Sequence, residues 1–322
     1  MNILFLTPGY MYLYKPIEQE LQRRGNNVCT IMDDDLPHTP YFRNKPWPKQ
    51  FLKHIWLHIS RLSKRYWEDK IKHYPFLLEK FDMFICINGC CLTKYLIDVL
   101  RKNNPNIKMV LYLWDTLNFY NYERNAKYFD KVLSFDYEEA NIHHWEFLPF
   151  YWVPTAYQKA DNQYMVSIIG SNHDDRLKIV SKIAKQLDAN NIKYYFGIFV
   201  GRDQFENENF GIHVVLLRKI VSVQDTLNVM KASNCILDTD RATQTGTTPR
   251  MIWALAMGKK IITTNQNIVK LPFYDKKQIQ IISRDNPVID IDFCENTDED
   301  FSDNEYIQSL RIDRWVSKLI EL

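Results

Sequence analysis

Residues 232–265 read ASNCILDTDRATQTGTTPRMIWALAMGKKIITTN, and the order of signals in this stretch decides the fold. Cys235–Leu237 is a short apolar run ending in Asp238 and Asp240, and Lys260–Thr264 is a second run rich in β-branched residues, so both are expected to be strands. Between them both ends of a helix are marked. Thr248 is a good N-cap, Pro249 suits the first helical position, and Gly258 is placed for the left-handed residue just past the end, which predicts a helix over Pro249–Met257. A strand, a helix and a second strand at this spacing form a βαβ crossover and imply a parallel sheet.

Gln244-Thr245-Gly246-Thr247 leads into that helix. A helix start carries unpaired backbone N–H groups, and here two threonine hydroxyls and a glycine that permits close approach stand beside them. Arg250, in the first turn, is suited to add a guanidinium fork to a phosphate, and Lys259 or Lys260 a point charge. An ordinary crossover with a solvated arginine and lysines fits the spacing equally well, so the residues alone leave both readings open.

Further residues join the pattern. Gln244, Gly246, Thr248 and Arg250, then Ala254-Leu255, then Gly258-Lys259-Lys260 and Ile262-Thr263-Thr264-Asn265 resemble the donor-binding segment of GT-B glycosyltransferases, in particular a group found in bacterial surface-polysaccharide (capsule and lipopolysaccharide) gene clusters. Leu113-Trp114-Asp115, Ser134-Phe135-Asp136 and Ile169-Gly170 resemble strand ends in the same group. The resemblance implies an α/β chain of two Rossmann-like domains facing across a cleft, with a C-terminal helix crossing back to the first domain. It also implies that the loop and helix start hold the diphosphate of a nucleotide sugar. Where the widespread retaining pattern has two glutamates, this chain has Thr245 and Trp253.

The 322 residues suffice for two domains, and 46% hydrophobic with 25% charged residues are globular values. A net charge of +2 argues against a general nucleic-acid binder. The cysteines, Cys29, Cys86, Cys90, Cys91, Cys235 and Cys294, form no Cys-x-x-Cys pair and several fall in apolar runs, which fits reduced core residues of a cytosolic protein. Ile3–Leu6 is too short for a signal peptide and no run approaches a membrane span, so the expected location is the cytoplasm.

Along the chain, Asn2–Thr7, a helix over Tyr14–Gly25 and Asn27–Met32 open with a βαβ unit whose single glycine is no dinucleotide fingerprint. Tyr10, Tyr12 and Tyr14 follow the first strand, where the resemblance implies an acceptor-facing loop. Asp33-Asp34-Asp35 suits a solvated turn better than a metal. Residues 41–80 are an insertion with a basic amphipathic helix near Phe51–Trp67, which fits either membrane-surface contact or packing on its own domain. Strands are expected at Met83–Ile87, Lys108–Leu113 and Lys131–Ser134, and the first domain is expected to end near residue 155. A second α/β unit follows over 163–300, with strands at Met165–Ile169, Lys193–Val200, Val214–Leu217 and Ile279–Ile282, and a surface loop over 285–304. Ser302 and Glu305 suggest a capping box opening the last helix, over 301–322.

Glycosyl transfer needs donors and cations on the leaving diphosphate and, if configuration inverts, a base for the acceptor hydroxyl. The donor-binding candidates are Gly170, Arg176, Arg202, Gln244, Gly246, Thr247, Thr248, Arg250 and Lys259. Asp115 is the first candidate base and Asp136 the second, with helix capping the competing role for both. Asp238-Thr239-Asp240 matches an Asp-x-Asp metal motif only superficially, and no metal or cofactor is expected; the nucleotide-diphosphate sugar is a substrate. The implied partners are that nucleotide sugar and a glycan or lipid-linked acceptor, with membrane contact through 51–67 and no nucleic acid. A catalytically silent scaffold subunit, which Trp253 in place of glutamate allows, and a nucleotide-sugar 2-epimerase using His173 are the alternatives.

Overall fold

The computed structural model describes residues 1–33, 60–118, 122–154, 162–201, 205, 208–296, 301 and 303–321, with side chains of 60–63 excepted. The chain divides into two compact units, Met1–Leu148 with Ile312–Leu322, and Pro149–Arg311.

The first unit is built on six strands, β1 (Asn2–Thr7), β2 (Asn27–Met32), β3 (Met83–Ile87), β4 (Lys108–Leu113), β5 (Lys131–Ser134) and β6 (Glu146–Phe147). They form one parallel sheet in the order β2-β1-β3-β4-β5-β6. All five residues of β3 are buried, as expected of a strand covered on both faces. Its helices are α1 (Lys15–Arg23), α2 (Ser60–His73), α3 (Lys94–Asn103), α4 (Glu123–Ala126) and α5 (Tyr137–His143).

Residues 51–59 of the basic helix lie outside the described residues. In the part described, the helix runs on to His73; Tyr66 and Trp67 are buried with Leu92 and Leu96, while Lys64, Arg65 and Glu68 are exposed. Trp67 is therefore a core residue, in one cluster with Leu92, just before α3, and Leu96 of α3. Asp33 is committed too. Its carboxylate accepts from the N–H groups of Cys90 (2.5 Å) and Cys91 (2.7 Å), tying the end of β2 to the turn after β3. Asp34 and Asp35 lie outside the described residues.

The second unit repeats the plan with β7 (Tyr164–Ser171), β8 (Tyr194–Phe199), β9 (Val214–Leu217), β10 (Ser233–Asp238), β11 (Lys260–Thr263) and β12 (Ile279–Ile281). The order is β12-β11-β10-β7-β8-β9, again parallel, so the strand order reverses between β7 and β10, where open α/β sheets take ligands. Its helices are α6 (Arg176–Ala189), α7 (Val223–Lys231), α8 (Pro249–Ala256), α9 (Ile291–Glu295) and α10 (Glu305–Ser309). α8 starts and stops as its sequence predicts. Thr248 accepts from Met251 N–H at 3.2 Å, and Gly258 takes φ +65° after the last turn.

The acidic segment read as a surface loop holds α9 and, among its described residues, three buried ones, Pro287, Ile289 and Cys294, the last two within the core of this unit. Apolar residues at helical spacing are hidden there among acids. Asn304, not the expected capping box, opens α10 by accepting from Ile307 N–H at 3.1 Å. Ser302 lies outside the described residues. α10 also stays with the second unit. Trp152 donates Nε1–H to Ile307 O (2.7 Å) and N–H to Leu310 O (3.1 Å), so the chain entering the unit pairs with the chain leaving it.

Only the last helix, α11 (Ile312–Ile320), returns to the first unit. It buries Trp315, Val316 and Leu319, and Trp315 meets Tyr112 of β4 edge-on at 4.9 Å. Lys131 Nζ donates to the Lys318 and Glu321 carbonyls at 2.8 Å, a cationic cap on the helix end. Replacing Trp315 by Ala removes this wedge. We expect a loss of about 3–5 kcal/mol in urea unfolding of the first unit; a loss under about 1 kcal/mol would show that the return helix does not close its core.

Candidate functional site

The end of β7 and the end of β10 stand side by side in the second unit, and two arginines meet there. Arg176 opens α6 and Arg250 sits in the first turn of α8, and both are buried. Arg176 donates Nε–H to Thr239 Oγ1 (2.8 Å) and its other nitrogens to the Ser171 and Thr239 carbonyls. Arg250 donates to Ile169 O (3.0 Å) and lies 3.3 Å from Asp238 Oδ1. Asp238 Oδ1 also accepts from Thr248 Oγ1 at 2.6 Å, so the N-cap of α8 is fastened to the end of β10.

Gly170 is where these guanidinium groups need space. A Cβ there would lie 2.9 Å from one Arg250 nitrogen and 3.2 Å from one of Arg176. The glycine thus makes room for arginines. Burial first, and the neighbouring Arg250 next, push Arg176 down to about 10. Arg250 pairs with Asp238, while Arg176 is bonded to Thr239 and Ser171 and feels both Asp238 and Asp240, so two guanidinium groups meet at the reversal of strand order. Thr247 Oγ1, Arg250 Nε and Asp238 Oδ2 are buried polar atoms that find no hydrogen-bond partner. Such groups need a water or a ligand.

Beyond Asp238 the charges are ordered differently. Arg284 donates to Asp175 Oδ1 (2.6 Å) and to Asp240 Oδ1 (2.7 Å), and Thr264 also bonds Asp240. Burial raises Asp240 to about 6 despite these partners, with Asp238 adding repulsion. Both carboxylates of the Asp-x-Asp sequence are therefore held by arginine. Among the described residues no group of three or more His, Cys, Asp or Glu is arranged to hold a metal.

The loop before α8 is held from behind. Gln244 Nε2 donates to Gly246 O (3.1 Å), and Asn265 Nδ2 donates to Thr245 O (3.2 Å) and Gly246 O (3.3 Å). The sequence thus places Gly170, Arg176, Gln244, Gly246, Thr247, Thr248 and Arg250 at one end of the sheet. Lys259 is a correction. Its Nζ donates to Lys231 O (2.9 Å), beside the start of β11, because a residue just before a parallel strand lies at the sheet's other end. Arg202 lies outside the described residues. Trp253 donates Nε1–H to Tyr151 O (3.2 Å) and anchors the segment entering the unit. His173, half-buried near Arg241 and Arg176, is pushed down to about 4 and is neutral at pH 7.

In the first unit, Asp115 and Asp136 follow β4 and β5. Asp136 caps α5, its Oδ1 accepting from Glu138 and Glu139 N–H at 3.1 and 3.2 Å; the capping role accounts for it. Asp115 is half-buried and accepts from Asn88 Nδ2 at 2.8 Å. Asn88, at φ +58°, also accepts from Trp114 N–H (3.0 Å), so it fixes the chain at the exit of β4. Glu139 fixes the same segment further on, accepting from Leu117 N–H at 2.8 Å while its Oε2 is buried without a partner. Burial pushes Glu139 up to about 7, with Asp136 contributing. Sequence reading missed Asn88, Glu139 and Arg284; the only signal was the position of Asn88 just after β3 and of Arg284 shortly after β12.

Glu139 binds its proton more tightly folded than unfolded, so its contribution to stability falls as pH rises from about 4.5 to about 7. Glu139→Gln removes that slope. Relative to the parent, the variant should gain about 1–2 kcal/mol between pH 5 and pH 8, after discounting for partial exposure. A pH-independent difference in urea unfolding would show that Glu139 titrates normally.

No protein-family model and no curated protein matches the sequence. Solved structures match along nearly the whole chain. A glycosyltransferase from Rickettsia africae ESF-5 superposes with TM-score 0.57 at 11% identity, covering 98% of this chain and 96% of that one. The lipopolysaccharide outer core galactosyltransferase WaaB gives TM-score 0.55 at 11% identity, covering 98% and 97%. Sucrose-phosphate synthase from Thermosynechococcus elongatus gives 0.55 at 13% identity, covering 100% and 95%. With two parallel six-stranded sheets, each in its own unit, and a last helix that returns to the first, this chain has the GT-B glycosyltransferase fold.

Proposed function

We propose that the chain is a glycosyltransferase that moves a sugar from a nucleotide-diphosphate sugar to a glycan or lipid-linked acceptor of a surface polysaccharide, without a metal, at the cytoplasmic face of a membrane. The observation that carries the reading is the start of α8. A capped helix N-terminus, a buried hydroxyl without a partner on Thr247 and an unsatisfied Arg250 Nε lie together where strand order reverses. A phosphate oxygen is the kind of group that satisfies all of them.

In this reading the charge that develops on the leaving diphosphate is met by the N–H groups of the 246–248 turn, by Thr247 Oγ1 and by the field of Arg176 and Arg250. These groups are fixed by Asp238, Ile169 O and Asn265 before any ligand arrives, so little reorganisation is needed as charge builds. The acceptor's proton falls to the first unit if configuration inverts. Asp115 is the carboxylate presented for that task, steadied by Asn88, with Glu139 holding the segment that carries it. Trp253 is occupied in anchoring the entry segment.

A thermal-shift series with UDP, GDP, CDP, TDP and NAD tests the donor site. One nucleoside diphosphate should stabilise the protein, by about 2.7 kcal/mol at a hundred times its Kd. Thr247→Val, which keeps shape and loses the hydroxyl, should weaken that ligand about tenfold. Stabilisation by none of them at millimolar concentration overturns the reading. Asp115→Asn should keep nucleotide binding and lose transfer by a factor of about 10²–10⁴; unimpaired transfer would remove Asp115 as the base.

A further inference from the structure

A pocket of about 440 Å³ opens in the second unit at the ends of β11 and β12. Asp240, Gln244, Asn265, Asn267, Ser283 and Arg284 are among the residues that line it. This volume lies at the small end of ligand sites, which run from about 300 to 1,000 Å³. Its wall is continuous with the loop before α8, because Gln244 and Asn265 both bond that loop's carbonyls.

The charge of this wall is opposite to that beside Gly170. Arg284 is the pocket's guanidinium, and its nitrogens are engaged by Asp175 through Nε (3.3 Å) and one terminal nitrogen (2.6 Å), and by Asp240 through the other (2.7 Å). The carboxylates that line the pocket, Asp240 and Asp285, face this one guanidinium, whose nitrogens are already engaged, which leaves a negative excess. On the other side of Asp238, Arg176 and Arg250 bring two guanidinium groups to the strand ends beside Gly170. An elongated ligand anionic at one end and uncharged at the other matches this polarity. Amides and hydroxyls on the pocket side both accept from and donate to hydroxyl groups.

We propose that this pocket holds the transferred sugar of the donor and selects a neutral sugar, rejecting sugars that carry a carboxylate. The inference rests on the glycosyl-transfer reading above. At pH 7.5 Asp240 is ionised, since burial lifts it only to about 6. Sugar hydroxyls gain charge-assisted hydrogen bonds from such a carboxylate, whereas a sugar carboxylate meets a like charge and a guanidinium already taken.

Titration calorimetry of the whole chain at pH 7.5 tests this with pairs that share a nucleotide: UDP-glucose against UDP-glucuronate and GDP-mannose against GDP-mannuronate, with UDP and GDP alone as references. For the nucleotide that binds, the acidic sugar should bind at least about tenfold more weakly than the neutral one, a difference of about 1.4 kcal/mol. Asp240→Asn should narrow the gap. Because that change breaks a buried ion pair, Ser283→Arg, on the exposed rim, provides an independent variant and should narrow the gap by restoring positive charge. Equal or tighter binding of the acidic sugar, or a gap that neither variant moves, overturns the inference and leaves the donor reading standing. Binding of none of the nucleoside diphosphates, CDP and TDP included, overturns both.

Discussion

The contact of Arg250 with Asp238 is what the rest of the second unit's site depends on. It joins β7, through the Ile169 carbonyl, to β10 and to the first turn of α8, at the place where strand order reverses. A buried ion pair contributes little net stability unless its remaining hydrogen bonds are made. Here Thr248 and Ile169 supply some of them, while Arg250 Nε and Asp238 Oδ2 are left over. Arg176 brings a second guanidinium to the same place. Gly170 follows from the same requirement, as the residue that lets two guanidinium groups lie at one strand end.

The first unit solves a different problem, the presentation of a carboxylate. Asp115 lies on irregular chain just past β4, and irregular chain is imprecise unless it is held. Asn88 holds it from β3 and Glu139 from α5, one through a side-chain amide and the other through a carboxylate. Asp136, which its position also recommended, fastens the helix from which Glu139 reaches out.

The strands and α8 were legible in the sequence because their signals are local: apolar runs of strand length, Thr248 with Pro249 at one end and Gly258 at the other. Roles that depend on partners far along the chain were not. Arg284 meets Asp175 across 109 positions and Glu139 meets Leu117 across 22, and no local pattern announces either. Lys259 was misplaced because a phosphate-binding lysine and a lysine before a parallel strand look alike in sequence. Trp67 on a basic helix has the composition of a membrane anchor and the surroundings of a core, and only its place in the first unit's core cluster tells the two apart for this residue. Asn304 in place of the capping box, and α9 within an acidic stretch, show how polar composition conceals short ordered elements.

The central claim is that the turn before α8 takes the diphosphate of a nucleotide. Phosphorus-31 NMR of a nucleoside diphosphate titrated with the protein addresses those atoms directly. The account predicts a saturable shift or broadening of the β-phosphorus resonance for one nucleotide, reduced in Thr247→Val. Resonances of all nucleoside diphosphates left unchanged by equimolar protein would contradict it.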